Sequence, residues 1–138
     1  MHWLQAWRLA GRAGAHAGWG QGGSTWDFGV PANQAAWKVL AQGGSALDAV
    51  EAGARWAESE LCNPTVGHCG NPDRDGVLSL DASIMDGDGR CGAVAALVDI
   101  LHPVSVARKV MENSPHVLLV GEGAQQFAVQ QGSSASTC

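Results

Sequence analysis

Hydrophobic and polar positions alternate most cleanly from Val77 to Ile84, where Leu78, Leu80, Ala82 and Ile84 interleave with Val77, Ser79, Asp81 and Ser83. A period of two predicts a half-buried strand. Asp86-Gly87 and Asp88-Gly89 follow, offering the positive-φ residues that a hairpin turn needs. Cys91–Val98 then returns as a small, nearly all-apolar run, which predicts a second strand buried on both faces. Elsewhere the period is helical. After Pro31, the residues Ala32, Ala36, Val39 and Leu40 share one face, and Gly43-Gly44 ends that helix.

Ser45 predicts the cap of a second helix, with Asp48 three residues on as the other half of a short capping box. Its inward stripe reads Ala46, Val50, Gly53/Ala54, Ala57 and Leu61, side chains small enough for close packing. Leu61–Gly76 is rich in Gly, Pro, Asn and Asp and predicts a loop. Pro103 opens a third helix with Val104, Ala107, Val110 and Met111 inward, and Ser114-Pro115 ends it. His116–Val120 predicts a short buried strand, and Glu122–Gln131 a last helix with Ala124, Phe127 and Ala128 inward. Residues 1–23 read as an irregular, glycine-rich segment with a short helix at Trp3–Leu9. Residues 24–132 form the domain, and 133–138 a tail. The order helix, helix, strand, strand, helix, strand, helix predicts a layered α/β domain.

Composition narrows the partners. A chain of 138 residues can build one core. Charged residues make up 15% and the net charge is −5, so there is no basic face for nucleic acid. No run approaches the ~18 apolar residues of a membrane span, so neither nucleic acid nor membrane is an expected partner. Gln5, Arg8, Gly11 and Arg12 interrupt the first segment, so no signal peptide is read there and the compartment is not encoded. The 4 cysteines permit disulfides without a dense framework.

Candidate chemistry is sparse. Cys62, His68, Cys69 and Cys91 match no standard zinc spacing. Asp86, Asp88 and Gly89 are similar to a calcium loop, but Leu97 stands where the closing glutamate belongs. No metal and no cofactor is expected. There is no G-x-S-x-G elbow. Gly121–Ala124 lacks both the full G-x-G-x-x-G pattern and a P-loop lysine, which leaves a tight strand-to-helix turn. Asp81 and Asp86 offer an acid and a base, or two structural residues of a hairpin. Taken alone, the residues give an α/β domain with no self-sufficient catalytic set.

Several blocks in order carry a resemblance: S-T-W-D-F-G (Ser24–Gly29), A-W-K-V-L-A-Q-G-G-S-A-L-D-A-V-E-A-G (Ala36–Gly53), P-D-R-D-G, L-D-A-S-I-M-D (Leu80–Asp86), G-A-V, H-P-V-S-V-A-R-K-V-M-E and S-P-H-V-L-L-V-G-E-G-A. From Ser24 to about Gly132 the chain resembles the α-subunit part of glycosylasparaginases (aspartylglucosaminidases), a family of N-terminal-nucleophile hydrolases. Plant-type asparaginases and isoaspartyl peptidases share the A-S-I-M-D-G and C-G-A-V portions, which keeps them as the alternative. The resemblance implies part of a truncated αββα sandwich. It also implies hydrolysis of the amide joining N-acetylglucosamine to asparagine. The nucleophile is a threonine exposed by self-cleavage at the start of the β subunit, with its own α-amino group as base.

By resemblance, Trp26 lines the substrate pocket or packs in the core, and Thr25 and Thr65 stand near the nucleophile. The implied partners are a glycosylasparagine substrate and a β subunit, or full-length homologous subunits with which a silent domain would pair. The implied compartment is a lysosome or a periplasm. The threonines are Thr25, Thr65 and Thr137, and none has the H-D-T-like context of a β-subunit start. The expected nucleophile is therefore missing, no catalytic residue is assigned, and the chain alone is expected to be inactive. V-G-H-C-G puts Cys69 at a usual family glycine, which strains the loop if that position has positive φ. By the same resemblance, Cys62 occupies a position that is disulfide-bonded in animal relatives, but the matching partner positions are alanines, Ala54 and Ala57. Mass spectrometry of the oxidised chain is expected to find Cys62 unlinked within it.

Overall fold

The computed structural model describes residues 23, 29–60 and 65–133. The predicted helix Trp3–Leu9, Thr25, Trp26 and Cys62 lie outside these residues, as do nearly all of the two terminal segments. Helix α1 spans Gly29–Ala41 and α2 spans Ala46–Ser59. A 3-10 turn at Gly67–Cys69 precedes strands β1 (Ser79–Met85) and β2 (Cys91–Val98). Helix α3 (Pro103–Asn113), strand β3 (Leu118–Val120) and helix α4 (Gly121–Gln130) complete the order.

The sheet runs β1-β2-β3, antiparallel between the first pair and parallel between the second. A parallel pair needs a crossover connection, and α3 supplies it. The helices gather on one face, where Ala82, Ile84, Val94 and Leu97 meet Val104, Val106, Ala107 and Val110 of α3 and Ala124 and Ala128 of α4. The fold is thus mixed α/β with a helical layer on one side of a three-stranded sheet. This matches the α/β expectation.

Two glycines make the layers close. A Cβ on Gly92 would stand 2.1 Å from the Ala107 carbonyl oxygen and 2.6 Å from the Met111 nitrogen, so α3 rests directly on the backbone of β2. A Cβ on Gly53 would stand 3.0 Å from the Ala32 oxygen, where α2 crosses α1. Of the predicted α2 stripe, Gly53 thus faces α1, Val50 and Ala54 join the main core, and Leu61 lies outside the described residues.

Local chemistry explains most element ends. Pro31 sits in the first turn of α1, where its missing N–H costs no hydrogen bond. This lets the helix begin at Gly29, ahead of the start after Pro31 that the sequence pattern predicts. At α2 the capping box is complete, with the Asp48 N–H donating to Ser45 Oγ and the Ser45 N–H to Asp48 Oδ2. The hairpin turns on Asp86, whose Oδ1 accepts from the N–H groups of Asp88 and Arg90 and whose Oδ2 takes the Arg90 guanidinium. Desolvation pushes the Asp86 carboxyl up, but the hydrogen bonds from Arg90 and Asp88 and the Arg90 charge together outweigh it and hold the carboxyl below the usual aspartate range. Gly89 has φ 86°, giving a three-residue loop that closes on a glycine in the left-handed region. Asp86 is therefore a structural residue.

At the far end of the helical layer, α3 holds the end of α4. Lys109 Nζ donates to the Gln131 carbonyl at 2.7 Å, and Asn113 Nδ2 to Gln131 Oε1 at 2.8 Å. Arg108 ties α3 to α2 through Asp48 and Glu51, each at 2.7 Å. Burial works against the Arg108 charge, but its bonds to Glu112, Asp48 and Glu51 outweigh this and raise its pKa above the ordinary arginine value. On the other partner, the Ser45 hydroxyl and then Arg108 hold Asp48 below the usual aspartate range.

Three strand expectations need correction. The first strand begins at Ser79, not Val77. The second is covered on one face only, because no second layer lies over Cys91, Ala93 and Ala95 among the described residues. The third is short and exposed rather than buried, with Leu118 at 53% and Val120 at 55% exposure. Its register pairs Leu118 with Ala93 and Val120 with Ala95, which places all four side chains on the same open face. Alternation identified strands here, but it could not say which faces would be covered.

Gly92→Ala is expected to destabilise the fold by roughly 3 kcal/mol, because it forces α3 off the sheet. Gly123→Ala, with nothing within 4 Å of the added Cβ and no positive φ, is expected to leave stability unchanged or raise it by up to ~1 kcal/mol. Urea unfolding of both variants checks the pair.

Candidate active-site face

An αα-hairpin precedes the loop that holds Thr65. The short link from Gln42 to Ser45 makes α1 and α2 antiparallel neighbours, so Gly29 and Ser59 end on the same side. Gly29 follows Trp26 by three residues and Ser59 precedes Thr65 by six. The hairpin thus puts Gly29 and Ser59 at one end of the domain. Thr25 and Trp26 lie outside the described residues. Thr65 is exposed in a turn just before the 3-10 segment.

Behind Thr65 the loop is seated firmly. Gly67 has φ 70° and is buried, and a Cβ there would come within 1.9 Å of the Glu58 carbonyl oxygen. Only glycine can occupy this seat. The strain expected at Cys69 does not arise, because the positive φ falls on Gly67, and Cys69 lies within the 3-10 turn. Next to that seat, His68 keeps its Nδ1 buried with no hydrogen-bond partner.

Sequence reasoning missed Glu58, the one buried charged residue among those described, at 1% exposure. It falls directly after Ala57 of the α2 stripe, so its position on the inner face was readable. Its type argued against burial, since a glutamate is rarely buried without partners. Here it has two. Oε1 accepts the Val104 N–H at 3.0 Å and Oε2 lies 3.3 Å from His102 Nδ1. Val104 is in the first turn of α3, where backbone N–H groups lack helical partners. His102, the residue before that helix, makes no side-chain cap of its own. A carboxylate from α2 therefore caps α3 from a distance, where the partial positive charge of the helix end favours it.

Burial raises the Glu58 carboxyl above its ordinary range, although the hydrogen bonds from His102 and Val104 oppose that rise. The consequence for stability has a definite sign. A raised folded pKa favours the protonated acid in the fold, so this contribution is full below the ordinary value of 4.5 and is lost as pH climbs through the folded value. Glu58→Gln removes the term. Stability of the variant relative to the parent is therefore expected to rise as pH increases from 4 towards neutrality, measured by chemical unfolding at each pH.

The open sheet face holds the remaining candidates. Asp81, exposed on β1, accepts the Ala96 N–H at 2.8 Å. Ala96 has φ 53°, a left-handed conformation that costs a non-glycine residue free energy, and the ladder shifts register between Leu80 and Ala82. Asp81 thus holds a bulge, and like Asp86 it is engaged in structure. Met85, Cys91, Ala93, Leu118 and Val120 continue this face as an apolar surface. Among the described residues, no three His, Cys, Asp or Glu side chains stand together as metal ligands.

Residues 26–137 match the sequence model of the family described as Asparaginase. The chain is 56% identical over 109 residues to an N(4)-(beta-N-acetylglucosaminyl)-L-asparaginase of Elizabethkingia miricola, covering 79% of this chain and 32% of the relative. It is 51% identical over 110 residues to the Rattus norvegicus protein of the same name, with the same two shares, 79% and 32%. An isoaspartyl peptidase of Salmonella typhimurium is 50% identical over 97 residues, 69% of this chain and 30% of the relative. The chain thus spans about a third of the length of the curated relatives it matches.

Proposed function

Because the chain belongs to the asparaginase family, within the range of its glycosylasparaginases, we propose that it supplies the α-subunit-like part of an amidohydrolase acting on glycosylasparagines. The observation that carries this reading is the continuous match across residues 26–137, on a domain whose sheet leaves one apolar face open. A face with Met85, Leu118 and Val120 each more than half exposed calls for a complementary layer. A second sheet from the nucleophile-bearing part of the enzyme fits that need, as face-to-face sheets pack ≈ 10 Å apart.

In this reading a threonine hydroxyl from the other part attacks the side-chain carbonyl carbon of the glycosylasparagine. Its α-amino group takes the hydroxyl proton. The tetrahedral intermediate collapses as that proton passes to the departing sugar amine, leaving an ester that water hydrolyses to aspartate and the free threonine. This chain's contribution is support. Thr65 presents a hydroxyl from a glycine-seated loop, Thr25 another, and Trp26 a wall for the substrate. Thr65 keeps the hydroxyl of the serine usual in the family and adds a methyl group. Neither Asp81 nor Asp86 serves as acid or base in this scheme, since both carboxylates are already engaged by the backbone.

The test is hydrolysis of N4-(β-N-acetylglucosaminyl)-asparagine by the chain alone and after mixing with the nucleophile-bearing part of the Elizabethkingia miricola relative. No aspartate release is expected from the chain alone, and release is expected from the mixture. Turnover by the chain alone would overturn the placement of the nucleophile outside it. A β-aspartyl dipeptide offered in parallel distinguishes the isoaspartyl peptidase alternative, which the Salmonella typhimurium relative keeps in view.

A further inference from the structure

Glu58 touches two parts of the fold. Its carbonyl oxygen is the floor on which Gly67 sits, so closely that no side chain fits between them. Its carboxylate reaches the other way, to the Val104 N–H at the start of α3 and to His102 Nδ1. Seat and cap are thus built from one residue. The seat lies two positions from Thr65, and the cap anchors it to the helix that rests on the sheet through Gly92.

We propose that Glu58 is a positioning residue for the Thr65 loop. Its carboxylate pins the last turn of α2 against the start of α3, and its backbone passes that constraint through Gly67 to Thr65. The alternative assignment, a carboxylate kept only to stabilise the core, fits poorly. Replacing a buried charge by an apolar side chain of similar volume is often neutral or stabilising, so stability alone gives little reason to keep one. The geometry also places this charge under the one loop of the described residues that carries a candidate site hydroxyl. Other charged groups nearby do not replace it. Arg55 bears on Glu58 through its charge alone, while the hydrogen bonds to the carboxylate come from His102 and Val104.

The functional weight of this proposal rests on the reading of Thr65 as a residue near the nucleophile, whereas the mechanical part does not. The experiment separates them. Amide hydrogen exchange of the full chain, followed by NMR, reads Val66–Gly70 against the β1–β2 hairpin as an internal standard. Glu58→Ala is expected to speed exchange in the loop roughly tenfold or more, through the loss of buried hydrogen bonds to Val104 and His102, with hairpin rates unchanged. If that variant does not fold, Glu58→Gln decides. The glutamine oxygen still accepts from Val104 but no longer offers a carboxylate to His102, so a smaller acceleration confined to the loop is expected. Loop rates equal to the parent's, or acceleration spread evenly over loop and hairpin, would overturn the proposal.

The mixture with the nucleophile-bearing part supplies the second readout. There Glu58→Gln is expected to lower kcat severalfold with KM little changed, because the loop supports the reacting group rather than substrate binding. A loosened loop with unchanged kcat would leave the positioning intact and remove Thr65 from the reaction. No turnover by the parent mixture would count against the functional reading alone, because the exchange data do not depend on it.

Discussion

The arrangement depends on backbone meeting backbone at Gly92. Sheet and helix usually stand apart by the thickness of their side chains, yet here α3 lies against β2 with only a glycine hydrogen between them. That approach leaves room for small residues only, and the core beneath α3 is accordingly Val, Ala, Ile and Leu rather than aromatic. It also fixes the height at which α3 begins. The carboxylate of Glu58 can reach Val104 only because the helix start is held at that height. The loop under Thr65 inherits the same constraint.

Alternation and helical spacing made the element order legible, because each short-range pattern answers to one covered face. The capping box at Ser45 and Asp48 was readable for a further reason: both partners lie within one turn, so spacing alone determines the contact. Cover on the second face of β2 is different. It depends on what lies above the sheet, and nothing in the spacing of Cys91–Val98 distinguishes a strand buried twice from one buried once. β3 shows the same limit. Its apolar residues imply burial, while its register with Ala93 and Ala95 sends two of three side chains to the open face.

At the candidate site, the sequence named hydroxyls and an aromatic but overlooked Glu58, which joins the end of α2 to the start of α3. Glu58 and Val104 are 46 positions apart, and no local rule links an acid in one helix to the bare N–H groups of another. Gly67 was legible only as part of a glycine-rich loop. Its positive φ and its contact with the Glu58 carbonyl explain why the loop tolerates a cysteine at position 69, where strain was expected. The bulge at Ala96 was equally hidden, since alanine gives no warning of a left-handed conformation and its support comes from Asp81 on another strand.

Lys109 and Asn113 give the domain one more property. By holding the carbonyl and side chain of Gln131, α3 ties down the C-terminal end of α4. The two side chains act as a mooring: the last turn of α4 leaves the sheet only by breaking its bonds to α3. The two helices therefore open as one cooperative unit rather than separately.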